Sequence, residues 1–116
     1  MSELFDRMRS FIGDEQKLFR RIAGRTDLWE ECVHLFPGKE IISEMDEALQ
    51  TGNDTVLYKS VHRLKGNLAN FGFDSAAEKA DAVIQAMRRN DSSEMKCRYT
   101  ELREEYIQII ERIGGV

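Results

Sequence analysis

The stretch "SVHRLKGNLANFGF", residues 60–73, decides how this chain is read. With Leu57 just upstream, its apolar positions recur as Leu57, Val61, Leu64, Leu68 and Phe71. Spacings of three and four put them on one stripe of an α-helix. Each helical residue advances about 100° around the axis, so the stripe centres about 40° to one side of Val61 and His62 lies about 140° from that centre. His62 therefore points away from the core. Gly66 lies about 40° from His62 on the same face, and Lys65 about 60° from it, at the edge of the stripe. A glycine inside a helix costs about 0.5–1 kcal/mol relative to alanine, and nothing in a fold asks for one on an outward face. What Gly66 provides is bare backbone beside an imidazole, with room for a large group to approach. Lys65 adds a mobile positive charge with three donors.

Helical periodicity continues on both sides. Gly52 reads as a stop, and Asn53 or Asp54 as the cap of the helix that carries the stretch. Upstream, Ile41, Ile42, Met45 and Leu49 predict a helix from about Gly38 to Gln50, and "FPG" at 36–38 marks a break before it. Leu28, Trp29, Cys32, Val33 and Phe36 form a short helical face. Leu4, Phe5, Met8 and Phe11, then Leu18, Phe19 and Ile22, predict one or two N-terminal helices. Downstream, Gly72 with Asp74 ends the central helix. Ser75 and Glu78 have capping-box spacing before a stripe of Ala76, Ala80, Val83 and Met87, with Ala77 and Ile84 beside it. Asp91 and Glu94 repeat that spacing before Met95, Tyr99, Leu102, Tyr106, Ile109 and Ile113, and Gly114 ends the run. Short connections favour antiparallel neighbours. The expected fold is all-α: an antiparallel up-and-down four-helix bundle with additional N-terminal helices. Residues 1–25 are expected to form a helical extension and 26–116 the bundle, as one compact domain.

The 116 residues carry a net charge of −4, which speaks against a general nucleic-acid binder, since phosphates call for a basic face. No apolar run approaches the roughly 20 residues needed to span a bilayer, and the opening "MSELFDRMRS" lacks the pattern of an export signal. The expected compartment is the cytoplasm. There the two cysteines, Cys32 and Cys97, read as reduced, small apolar core residues. Together with His34 and His62 they have the composition of a zinc site. The close paired ligands of such sites are missing, because Cys32 and His34 lie two apart and face different sides of a helix. No metal site is expected.

The chemistry that suits the central face is phosphoryl transfer through histidine. A neutral imidazole is a competent nucleophile near neutral pH, since its unperturbed pKa is about 6.5. The moving group spreads charge over three oxygens, which a nearby lysine stabilises. In-line attack needs open space before the nitrogen, and Gly66 leaves it.

In these residues the chain resembles the histidine phosphotransfer (HPt) domains of bacterial phosphorelays and the related N-terminal domains of chemotaxis-type histidine kinases. Their signature is H-x-L-K-G, four or five small or apolar residues, then glycine; here it is "HRLKGNLANFG", with His62, Leu64, Lys65, Gly66 and Gly72. The resemblance extends over about residues 26–113, from "EMDEALQTGN" upstream to "DSAAEKADAVIQAMRRND" downstream. It implies a four-helix bundle in which His62 is phosphorylated, Lys65 stabilises the phosphate and Gly66 gives clearance. It also implies that Gly72 ends the helix where the next one packs closely. The implied partners are a response-regulator receiver domain, a histidine kinase, or both, and the chain itself is a monomeric carrier rather than an enzyme. No cofactor of its own is implied; Mg²⁺ belongs to the partner receiver. Two departures stand out. Ile84 falls where many relatives place a Glu or Gln that hydrogen-bonds the imidazole, with Gln85 about 100° away. That leaves the second ring nitrogen to water or to nothing. Asn67 and Leu68 also replace two small residues, but Leu68 fits the core stripe.

Three functions follow from the sequence. The favoured one is a phosphorelay intermediate that accepts and donates a phosphoryl group on His62. The alternative is an HPt-like interaction module that docks a receiver or kinase and inhibits it without carrying phosphate, although docking alone has no need of His62. A metal-binding helical protein is the third, and the ligand spacing opposes it.

Overall fold

The computed structural model describes residues 2–114, and among them the regular elements are all helical. Two short helices, α1 (Glu3–Arg7) and α2 (Glu15–Arg21), flank a 3₁₀ turn at Arg9–Phe11. They lead into α3 (Thr26–Leu35), α4 (Gly38–Thr51), α5 (Asp54–Asn70), α6 (Asp74–Arg88) and α7 (Ser92–Ile113). Local chemistry sets most of these boundaries. The Asn53 side chain accepts a hydrogen bond from the Val56 amide at 3.2 Å, and Asp91 accepts one from Glu94 at 3.0 Å, so both cap orphan donors at helix starts. Gly52 ends α4 with φ +68°, a left-handed conformation that costs glycine nothing.

Helices α4 to α7 form a bundle in which each packs on the next and α4 also meets α7. Side-chain pairs fix their directions. An early residue of α5 meets the last residue of α6, through Tyr58–Arg88, and a later one meets the middle of α6, through Lys65–Asp81, so the two run antiparallel. Between α6 and α7, Glu105 accepts hydrogen bonds from Ser75 and Lys79, and between α4 and α5 Glu44 accepts one from Ser60. Tyr99 and Arg103 of α7 clasp Asp46 of α4, with the tyrosine hydroxyl at 2.6 Å and the guanidinium in a fork at 2.9–3.1 Å. The guanidinium holds the Asp46 carboxyl below the usual carboxylate range, and burial pushes the Tyr99 hydroxyl up. Inside, Leu57, Val61, Leu64 and Leu68 meet Ala76, Ala80, Val83, Ile84, Leu102, Tyr106 and Ile109, all buried.

The N-terminal segment joins this core. Leu4, Phe5, Met8 and Leu18 are fully buried, and Phe5 packs against Phe19 and Trp29 with ring centroids 5.1 and 5.2 Å apart. The same segment closes the end of α5. The Arg21 guanidinium donates to the Ala69 and Asn70 carbonyls at 2.7 and 3.1 Å, and the Trp29 indole N–H donates to the Phe71 carbonyl at 3.0 Å. A cation and an indole N–H at a helix C-terminus satisfy carbonyls that the helix leaves unpaired.

Three sequence expectations fail here. Cys32 and Cys97 are exposed free thiols, not core fillers: they sit on the outward sides of α3 and α7, where Trp29 and Val33, or Tyr99 and Leu102, already face inward. Leu28 shares that outward side of α3 and is 46% exposed. Ser75 caps nothing; α6 begins at Asp74, and the serine hydroxyl donates instead to Glu105 at 3.0 Å.

Candidate functional site

His62 lies on the exposed side of α5, four residues after Tyr58 and four before Gly66. Its neighbours Val61 and Leu64 are fully buried, which fixes the rotation of the helix and so the outward direction of the imidazole. A methyl group added at Gly66 would meet nothing within 4 Å. The space beside the imidazole that the sequence implies is therefore present.

Lys65 stands three residues from His62, but its ammonium reaches across to α6, 2.9 Å from the Asp81 carboxylate. Both side chains of this pair are about 40% exposed, at 39% and 41%, so water screens it. The hydrogen bond from Lys65 is the main reason the Asp81 carboxyl sits below its ordinary pKa. Gln85 leans the same way, its amide donating to Asp81 at 3.4 Å. In this state the lysine of the motif is held by a carboxylate.

The register set by Tyr58–Arg88 and Lys65–Asp81 places Ile84 opposite His62, and Ile84 is buried at 1% exposure. Among the described residues the His62 ring has no hydrogen-bond partner. Its one close aromatic neighbour is Tyr58, with ring centroids 6.0 Å apart and planes 20° from parallel. Arg88 in turn donates to the Tyr58 hydroxyl at 2.9 Å and lies 6.0 Å from the centre of its ring. Sequence reasoning singled out His62, Lys65 and Gly66; His62 and Gly66 are exposed on one side of α5, and Lys65 is half-buried and turned to Asp81. Sequence reasoning passed over Tyr58, Arg88 and Asp81. Tyr58 could have been found one helical turn before His62, and Asp81 and Arg88 by folding α6 back on α5 about Gly72.

Gly72 adopts φ +84°, as expected of the residue that ends α5. The element crowding it is α2, where Leu18 Cδ2 lies 2.8 Å from where a Cβ would be. The close packing comes from the N-terminal segment. Among the described residues no group of three or more His, Cys, Asp or Glu side chains is placed to hold a metal, and no helix is long and apolar enough to cross a membrane.

The bundle presents His62, an exposed histidine, beside a bare glycine on α5. The family model described as "Hpt domain" matches residues 38–112, and the chain belongs to that family. The match begins at α4 and leaves α1 to α3 outside it. Hpt domains serve histidine phosphotransfer in phosphorelay signalling, where they interact with receiver domains and kinases. No curated protein and no solved structure matches the chain.

Proposed function

We propose that the chain is a monomeric phosphorelay intermediate whose carrier is His62, shuttling a phosphoryl group between receiver-domain aspartates or taking it from a histidine kinase. The observation that carries this reading is the exposed imidazole on α5 with open space over Gly66. In the transfer, a lone pair of a ring nitrogen forms a bond to phosphorus as the bond from phosphorus to the aspartyl oxygen breaks. The aspartate leaves as carboxylate, and return transfer reverses both changes. The partner supplies the Mg²⁺ and the catalytic groups. This chain supplies a nucleophile, a cation in Lys65 and clearance at Gly66, and is not itself an enzyme.

The test is transfer from a phosphorylated receiver domain. The chain should acquire an acid-labile phosphate, and His62→Gln should abolish it with the helical circular dichroism unchanged. A mutant still labelled, or an acid-stable label, overturns the assignment to His62. Binding of the receiver without any label on the wild type would favour the docking module.

A further inference from the structure

On the α5–α6 face three levels follow one another: Tyr58 with Arg88, His62 opposite Ile84, and Lys65 with Asp81. The outer levels are polar ties between the helices. The middle level has none, because isoleucine offers no hydrogen bond to an imidazole edge. An exposed side chain free at both ring nitrogens samples several rotamers, and only some aim a nitrogen outward along the line of attack.

From this arrangement we infer that Tyr58 is the positioning residue for His62, orienting the ring by its face, and that Arg88 holds Tyr58 in place. The centroid distance of 6.0 Å and interplanar angle of 20° describe an offset stack, within the range that aromatic pairs favour. Tyr58 is only half-buried, so its own ring needs an anchor. The bond from Arg88 to its hydroxyl supplies one, from the neighbouring helix. The stack sets an aromatic ring against one side of the imidazole, and neither ring nitrogen has a hydrogen-bond partner among the described residues, so it limits rotation without engaging either nitrogen. A hydrogen bond to the second nitrogen would change the basicity of the ring as well as its direction; a stack changes mainly its direction.

The inference rests on the phosphocarrier reading, and its test separates the two. Tyr58→Phe, Tyr58→Leu and Arg88→Ala are compared with wild type in three measurements: the ¹H resonances of the His62 ring, labelling by phosphoramidate, and transfer from a phosphorylated receiver. Phosphoramidate is a small donor that needs no docking surface. The imidazole nitrogen bonds to phosphorus as the donor's own P–N bond breaks and ammonia leaves. Tyr58→Leu, which keeps bulk and removes the ring, should shift the His62 resonances and slow phosphoramidate labelling about three- to tenfold. Tyr58→Phe should keep the stack and stay nearest to wild type, and Arg88→Ala should fall between. If Tyr58→Leu leaves the phosphoramidate rate unchanged, the inference is overturned, even where receiver transfer drops; Tyr58 is then a docking residue. If the wild type takes no label from a receiver, the relay reading fails, and the phosphoramidate rates of the three variants still decide whether Tyr58 orients the ring.

Discussion

Two glycines of one signature, Gly66 and Gly72, sit six residues apart and are there for opposite reasons. Gly66 has ordinary helical backbone and open space where a side chain would be. Gly72 has φ +84° and Leu18 pressed against it. At Gly66 the helix could carry alanine with a gain in stability, so the fold does not account for the glycine. At Gly72 the fold accounts for it fully. The pair shows how to separate a glycine that the fold requires from one that it does not when both belong to the same motif: ask what a methyl group would touch, and what φ it would have to bear.

The largest effect should come at the crowded end. Gly72→Ala must hold a left-handed conformation, at about 1–2 kcal/mol for a non-glycine residue, and must push Leu18 aside. Leu18 meets the new methyl with the tip of a flexible side chain and can yield in part, so the expected loss of stability is about 1–3 kcal/mol. Chemical denaturation of Gly72→Ala, Leu18→Ala and the double mutant checks it. The double mutant should be less destabilised than the sum of the singles, because truncating Leu18 removes the crowding and leaves the backbone strain. Strict additivity would mean that Leu18 is not what makes Gly72 necessary.

Gly66→Ala sharpens the comparison from the other side. Alanine should stabilise α5 by about 0.5–1 kcal/mol, since glycine is the poorer helix former and nothing stands in the way. Transfer from a receiver should slow all the same, because the methyl intrudes on the space beside His62. Thermal melts and transfer rates on the same variant decide. A more stable protein with an unchanged rate would remove clearance as the reason for the glycine.

Where an element begins and which side of it faces inward was legible wherever short-range rules govern. The stripe Leu57–Val61–Leu64–Leu68 and the caps Asn53 and Asp91 were readable because each depends on residues within a turn or two. What stayed hidden depends on chain brought in from afar. Leu18 against Gly72, Arg21 and Trp29 on the end of α5, and Asp81 on Lys65 are meetings that only the packed bundle creates. Cys32 and Cys97 misled for a different reason. Cysteine is among the residues most often buried, but α3 and α7 present both to water. In the site, motif spacing singled out His62, while its neighbours on α6 needed the helix register.

The smallest effect on the fold, and a sharp one on function, is expected at Lys65. Its pair with Asp81 is more than a third exposed at both ends, so Lys65→Ala should leave stability within about ±0.5 kcal/mol. The sign of the small contribution can be read from pH. The Asp81 carboxyl lies below its ordinary value because Lys65 hydrogen-bonds the charged form. Its contribution is therefore present above the unfolded carboxylate pKa of about 3.9, and is lost as pH falls through the lower folded value. A stability difference between wild type and Asp81→Asn at neutral pH should vanish in acid. On the proposed reading, phosphorylation should change the balance, because a phosphoryl dianion on His62 would compete with Asp81 for one ammonium. Lys65→Ala should then shift the transfer equilibrium away from the carrier by several-fold, the size expected of an exposed pair worth up to about 1 kcal/mol. Asp81→Asn should shift it the other way, since it removes the competitor and leaves the lysine free. High salt should shrink both shifts. The transfer equilibrium with one receiver, at low and high salt, measures all three proteins on one scale. If Asp81→Asn weakens the phosphorylated form as Lys65→Ala does, Asp81 is not competing with the phosphate but steering the lysine toward it.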